Sequence, residues 1–137
     1  MWIAIALVLA LVRRRWELFV FVVAADAVAQ LLASLLKDVF DRRRPPLVYP
    51  EPRPLVHDPA TPSFPSGHAA TSFACATMLS LAFPRATPGF FVLAAAIAYS
   101  RVYVGVHWPA DVIAGALLGV VVAAVLALAV ARRRRHA

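Results

Sequence analysis

The sequence predicts an all-α membrane protein: a polytopic transmembrane helical bundle of about five membrane segments, the first one short or truncated. Three observations carry that fold class. Of the 137 residues, 62% are hydrophobic and 15% charged, with a mean hydropathy of +0.76, whereas soluble domains average ~45–50% apolar and ~25% charged residues. Apolar runs near the ~20 residues needed to cross a bilayer recur along the chain. Basic residues stand at the ends of those runs. The length fits a single domain, 1–137.

Met1 to Val12 is apolar but spans only ~18 Å as a helix. Its basic residues follow the apolar stretch, which argues against a signal peptide. It reads as the second half of a spanning helix or as a short helix tilted into the bundle. Trp16 to Leu36 is the first full span, between Arg13-Arg14-Arg15 and Lys37. Three more follow: about His68 to Phe83, Gly89 to about Val104, and about Pro109 to Ala131, the last ending in four arginines. Between the first and second full spans lies an extramembrane loop, 38–65, and the stretch from Lys37 to His68 holds eight of the eleven prolines. That density excludes a long helix and favours extended backbone, and a connection of this length suits a lid or binding loop.

Two features inside the spans invite packing readings. Asp26 lies near the middle of its span with Gln30 one turn later, and an ionisable residue at that depth faces protein or water. Gly115 and Gly119 are four apart, a spacing that lets another helix approach closely. Cys75 is the one cysteine, so no intramolecular disulfide can form.

The net charge of +7 would suggest nucleic acid in a soluble protein. Here the charge flanks apolar runs, so the expected partner is anionic membrane lipid and not nucleic acid. Polar residues gather in three strings: Lys37 to Pro45, Pro65 to His68, and Ser100 to Asp111. Counting crossings places all three at one membrane face. There Lys37, Arg44 and Arg101 meet a helix N-terminus at Ser66-Gly67-His68. Helix N-termini present unpaired N–H groups and partial positive charge that suit phosphate, arginine forks match its oxygens, and Gly67 lets backbone approach a ligand. A zinc site on His68, His107 and Asp111 is the rival reading. Three cations around one point repel a divalent metal and attract an anion, so the expectation is a phosphate site with no metal and no cofactor.

The remaining groups then have chemical roles. A neutral imidazole at His107 can attack phosphorus. Asp111, four residues on and in the first turn of a helix opened by Pro109, can orient that imidazole and stabilise its charge. His68 can protonate the departing oxygen. Arg42 and Arg43 read as part of a positive-inside run or a lipid-headgroup patch.

Together the strings resemble the three-part signature of the type 2 phosphatidic acid phosphatase family. The matching positions are Lys37, Arg44 and Pro45; Pro65, Ser66, Gly67 and His68; and Ser100, Arg101, His107 and Asp111. The resemblance runs from about Trp16 to the C-terminus. It implies metal-independent hydrolysis of a lipid phosphate or diphosphate through a phosphohistidine on His107, with His68 as acid and Asp111 as partner. Lys37, Arg44, Arg101 and the Ser66-Gly67 region form the implied phosphate cradle, which vanadium haloperoxidases share. Bacterial members usually have six spanning helices, and here the shortfall precedes the signature, so a trimmed chain or a bundle completed as a homo-oligomer is expected.

Eight arginines (13, 14, 15, 85 and 132–135) lie on the side away from the signature. Lys37 and arginines 42, 43, 44, 53 and 101 lie on the signature side, diluted by Asp38, Asp41, Glu51 and Asp58. Cytoplasmic loops carry the Lys/Arg excess, so the expected site faces outward from a bacterial-type cell membrane. An outward-facing member resembles undecaprenyl diphosphate phosphatases. Phosphatidylglycerophosphate and phosphatidate are the alternative substrates, and a non-catalytic polybasic membrane protein is a distant third reading.

Overall fold

A computed structural model describes residues 1–49, 55–56 and 60–136, the side chains of residues 134 and 136 apart. Among them, Glu51, Arg53 and Asp58 of the charge comparison are absent, because they lie outside the described residues. The described residues form α1 (Trp2–Arg13), α2 (Trp16–Phe40), a one-turn α3 (Pro45–Val48), α4 (Gly67–Ala82), a 3-10 turn (Pro84–Ala86), α5 (Thr87–Tyr103) and α6 (Pro109–His136). There is no strand among the described residues.

α2 and α6 are long and apolar enough to cross a membrane. α4 and α5, with 16 and 17 residues, sit at or just under the lower limit of a span. Their brevity has local causes. Pro84 follows α4, and α5 ends where Gly105 takes φ 80, a backbone region that L side chains avoid. α4 is the central helix and packs against α2, α5 and α6, while α1 lies on α2 and α4.

The packing inverts that of a water-soluble bundle. The interior is lined with small residues, among them Ala25, Ala29, Ala70, Ala74, Ala94 and Ala123. Large apolar side chains such as Val20, Leu31, Val92, Leu117 and Leu128 point outward. Helices surrounded by lipid gain nothing from hiding leucine, so they associate through small residues that permit close backbone contact. Gly115 and Gly119 work this way. A Cβ at Gly115 would strike the Ser66 carbonyl oxygen and stand 3.1 Å from Ala69 Cβ; one at Gly119 would strike the Ala70 carbonyl oxygen and stand 2.8 Å from the Ala74 nitrogen.

α1 packs into the bundle through Trp2, Ala6 and Ala10, and the Trp2 indole donates to Ser72 Oγ at 3.0 Å. Asp26 faces protein, accepting a contact from Cys75 Sγ at 3.6 Å. A groove of about 970 Å³ lies between the far-side ends of α2, α4 and α6, lined in part by Arg15, Trp16, Leu81 and Leu126. It is at the end of the bundle opposite the three strings.

Candidate active site

α2 ends, α4 begins, α5 ends and α6 begins at the same face, so the topology delivers all three strings to one end of the bundle. Within the proline-rich loop, Leu55 N–H bonds the Val104 carbonyl at 3.1 Å and Ser63 N–H bonds the Arg42 carbonyl at 2.8 Å. The loop is thereby tied across the α5–α6 junction. Its Pro45–Val48 turn is helical where the composition suggested extended chain, because proline with its fixed φ is at home in a first helical turn.

His107 is 5% exposed and lies between two partners. Its Nδ1 is 3.5 Å from Asp111 Oδ2, and its Nε2 is 3.4 Å from Nη1 of Arg44. A guanidinium can only donate, so Nε2 presents its lone pair on the cationic side and Nδ1 carries the proton that faces the carboxylate. Both distances are at the long end of hydrogen bonding. Burial pushes the His107 imidazole below its usual range; Arg44 and Lys37 push the same way, and Asp111 opposes them.

Asp111 is fully buried. Its Oδ2 also accepts the Trp108 backbone N–H at 2.9 Å, and its Oδ1 is 2.8 Å from Nη1 of Arg42. Arg42 further stacks over the Trp108 ring, with Cζ 5.6 Å from the centroid. Sequence reasoning placed Arg42 in a charged run; the only local signal for more was its position five residues after Lys37.

Arg44 is buried at 3% exposure and is busy with backbone. Its Nε donates to the Thr61 carbonyl at 2.7 Å, Nη1 to the Val106 carbonyl at 2.7 Å, and Nη2 to Thr61 Oγ1 at 3.2 Å and the Pro62 carbonyl at 3.3 Å. It therefore holds the loop and the α5–α6 junction together around His107. Lys37 is half-buried and donates to the Pro62 carbonyl. Arg101 folds onto its neighbour Ser100, with Nε and Nη2 at 3.1 and 3.0 Å from Oγ.

At the start of α4, Ser66 caps the helix without a side-chain capping bond. Its hydroxyl is buried with no hydrogen-bond partner, while its backbone N–H is held by the Asp111 carbonyl at 2.9 Å. Gly67 is buried, and a Cβ there would stand 3.0 Å from Gln30 Oε1. The first amides of α4 have no partner within the helix. His68 is exposed and lies within electrostatic reach of Arg101, His107, Lys37 and Arg44. An unpartnered hydroxyl, the first amides of α4, two cations and an imidazole thus border one region, an arrangement suited to an anion with several oxygens.

The chain is similar to several known proteins. It is 36% identical over 124 residues to a protein of Sulfolobus acidocaldarius named undecaprenyl-diphosphatase, matching 86% of this chain and 58% of that one. It is 38% identical over 127 residues to decaprenylphosphoryl-5-phosphoribose phosphatase of Mycobacterium tuberculosis, matching 91% of this chain and 69% of the relative. The chain thus spans about three fifths to two thirds of the length of these relatives. Among solved structures, Aquifex aeolicus LpxE superposes with a TM-score of 0.74 at 30% identity, over 90% of this chain and 75% of that one. Residues 18–135, which include all three strings, match the PAP2 superfamily, and the chain belongs to that superfamily.

Proposed function

We propose that the chain removes phosphate from a membrane lipid phosphate or diphosphate through a covalent phosphohistidine on His107. The observation that carries this reading is the buried imidazole between Asp111 and Arg44, with its lone pair on the side where the cations gather. In the first step Nε2 attacks phosphorus, the bond from phosphorus to the lipid oxygen breaks, and its electron pair leaves on that oxygen. His68 supplies the proton. In the second step His68, now neutral, takes a proton from water, whose oxygen attacks phosphorus. The P–N bond breaks and phosphate leaves. Lys37, Arg101, the Ser66 hydroxyl and the α4 amides hold the phosphoryl oxygens, and Arg44 braces the imidazole. The Asp111 carboxylate stabilises the charge on the phosphorylated ring. No step draws on a metal ion.

The favoured substrate is an isoprenoid diphosphate of the undecaprenyl type, presented at the outer face of the membrane. The names of the Sulfolobus and Mycobacterium relatives both specify polyprenyl lipids, and the arginine asymmetry supports the outward orientation. Phosphatidylglycerophosphate and phosphatidate are the alternatives.

The test is phosphate release from these three lipids by purified protein in excess chelator, alongside His107→Ala. Release from the isoprenoid diphosphate, its loss in the variant and an acid-labile phosphoenzyme in the native protein are expected. Activity that vanishes with chelator and returns with a divalent metal would refute the mechanism, and preference for either glycerolipid would refute the substrate.

A further inference from the structure

Arg42 lies outside the residues of the signature, yet it makes a close contact to the carboxylate at the centre of the site. Nη1 stands 2.8 Å from Asp111 Oδ1; the arginine side chain is 41% exposed and the aspartate side chain 0%. Two further contacts hold the pair. The Arg42 carbonyl accepts the Ser63 N–H at 2.8 Å, which anchors its backbone, and the guanidinium rests on the Trp108 ring at 5.6 Å. Trp108 in turn gives its backbone N–H to the other carboxylate oxygen at 2.9 Å.

Burying an ionised carboxylate is costly unless a paired charge and hydrogen bonds compensate. A neutral imidazole supplies no such charge. The groups facing His107 are Asp111 from α6, Arg44 from the segment before α3, Lys37 from α2 and His68 from α4. Arg42 is a cation that bonds the carboxylate directly. Oδ1 is engaged by Arg42, while Oδ2 stands 3.5 Å from Nδ1.

We propose that Arg42 is a positioning residue for the phosphoryl transfer: it keeps Asp111 ionised and partly withdrawn, so that His107 is neutral before it attacks and meets a ready carboxylate once the ring becomes charged. This rests on the hydrolytic reading of the site. Without Arg42 more of the carboxylate charge falls on the imidazole, which then holds a proton at higher pH and is less available as a nucleophile.

The test pairs a titration with kinetics. In purified Arg42→Gln carrying ¹⁵N-histidine, the His107 titration midpoint followed by NMR should rise by about one pH unit. Turnover of farnesyl diphosphate should show the acidic limb of kcat/KM moving by the same amount. The plateau kcat should fall by on the order of 10²-fold with KM little changed. Arg42→Lys, which keeps the charge, should restore the limb, and Trp108→Leu should move it in the same direction by less. An unmoved midpoint in Arg42→Gln overturns the proposal. So does a raised KM with kcat and limb intact, which would make Arg42 a substrate contact. A shifted midpoint in a protein that releases phosphate from no lipid supports the link from Arg42 to His107 and sinks the hydrolytic reading instead.

Discussion

The backbone carbonyl of Asp111 accepts the N–H of Ser66 at 2.9 Å, so the residue that faces His107 also fastens the turn that opens α4. The α4 N-terminus and the first turn of α6 are therefore one unit. Gly115, one turn further along α6, lies directly against the Ser66 carbonyl, and Gly119 against that of Ala70.

Gly115→Ala and Gly119→Ala should consequently force α6 off α4. Overpacking of this kind costs ~1–3 kcal/mol, and because the obstructing atoms are backbone, relief requires movement of a whole helix. Both variants should melt earlier in detergent, and Gly115→Ala should lose activity beyond its loss of folded protein, since it displaces Ser66. Gly89→Ala is the control, with nothing within 4 Å of the added carbon. Equal melting temperatures across all three variants would contradict the close helix contact.

His107 has a pH signature. Burial comes first in holding its imidazole below the usual range, with Arg44 and Lys37 adding to it against Asp111. The neutral form that can attack phosphorus is therefore kept in mildly acidic solution, and the acidic limb of kcat/KM should lie below the ordinary imidazole value of ~6.5. The stability consequence has a definite sign. As pH falls through that value the unfolded chain takes the proton before the native one does, so this contribution to stability is lost on acidification. His107→Gln should flatten that part of the melting-temperature profile; an unchanged profile would show that His107 is not the group responsible.

His68 should reveal itself through the leaving group. An alkoxide needs a proton to depart, a phosphate needs less and an aryloxide least. His68→Ala should cost ~10²–10⁴-fold with phosphate monoesters of alcohols, an intermediate factor with diphosphates and little with aryl phosphates. A uniform loss across the three would assign His68 to binding alone.

Orientation is open to direct labelling. Val48 and Ala86 are exposed and lie at opposite ends of the bundle. In a Cys75→Ala background, a cysteine at position 48 should react in intact cells with a reagent that cannot cross the membrane, and one at position 86 should not. The opposite pattern would place the site on the cytoplasmic face.

Much of the molecule could be read from the linear chain because the relevant signals are local. Apolar run length is a property of consecutive residues, and alternating membrane crossings carry the three strings to one face by parity alone. The spacing of Lys37 from Arg44, and of Arg101, His107 and Asp111, survives folding because short stretches of helix and turn preserve it. The glycine pair four apart was legible for the same reason, although only the α4 backbone across from it showed what the glycines accommodate.

Side-chain direction was not legible. Arg42, Arg43 and Arg44 are indistinguishable as a run of charge, yet each does something different. Arg42 pairs with a carboxylate 69 residues away. Arg43 lends its carbonyl to the Trp108 indole at 3.0 Å. Arg44 spends its donors on Thr61, Pro62 and Val106. Each residue along irregular backbone points its side chain a different way, and which partner it meets depends on loops and helices brought together from far along the chain. Sequence therefore determined the membrane fold and the set of chemical groups at its face. Tertiary structure decided which cation stands against the imidazole and which one pairs with its carboxylate, because a buried charge is costly unless a partner compensates it, and those partners come from distant parts of the chain.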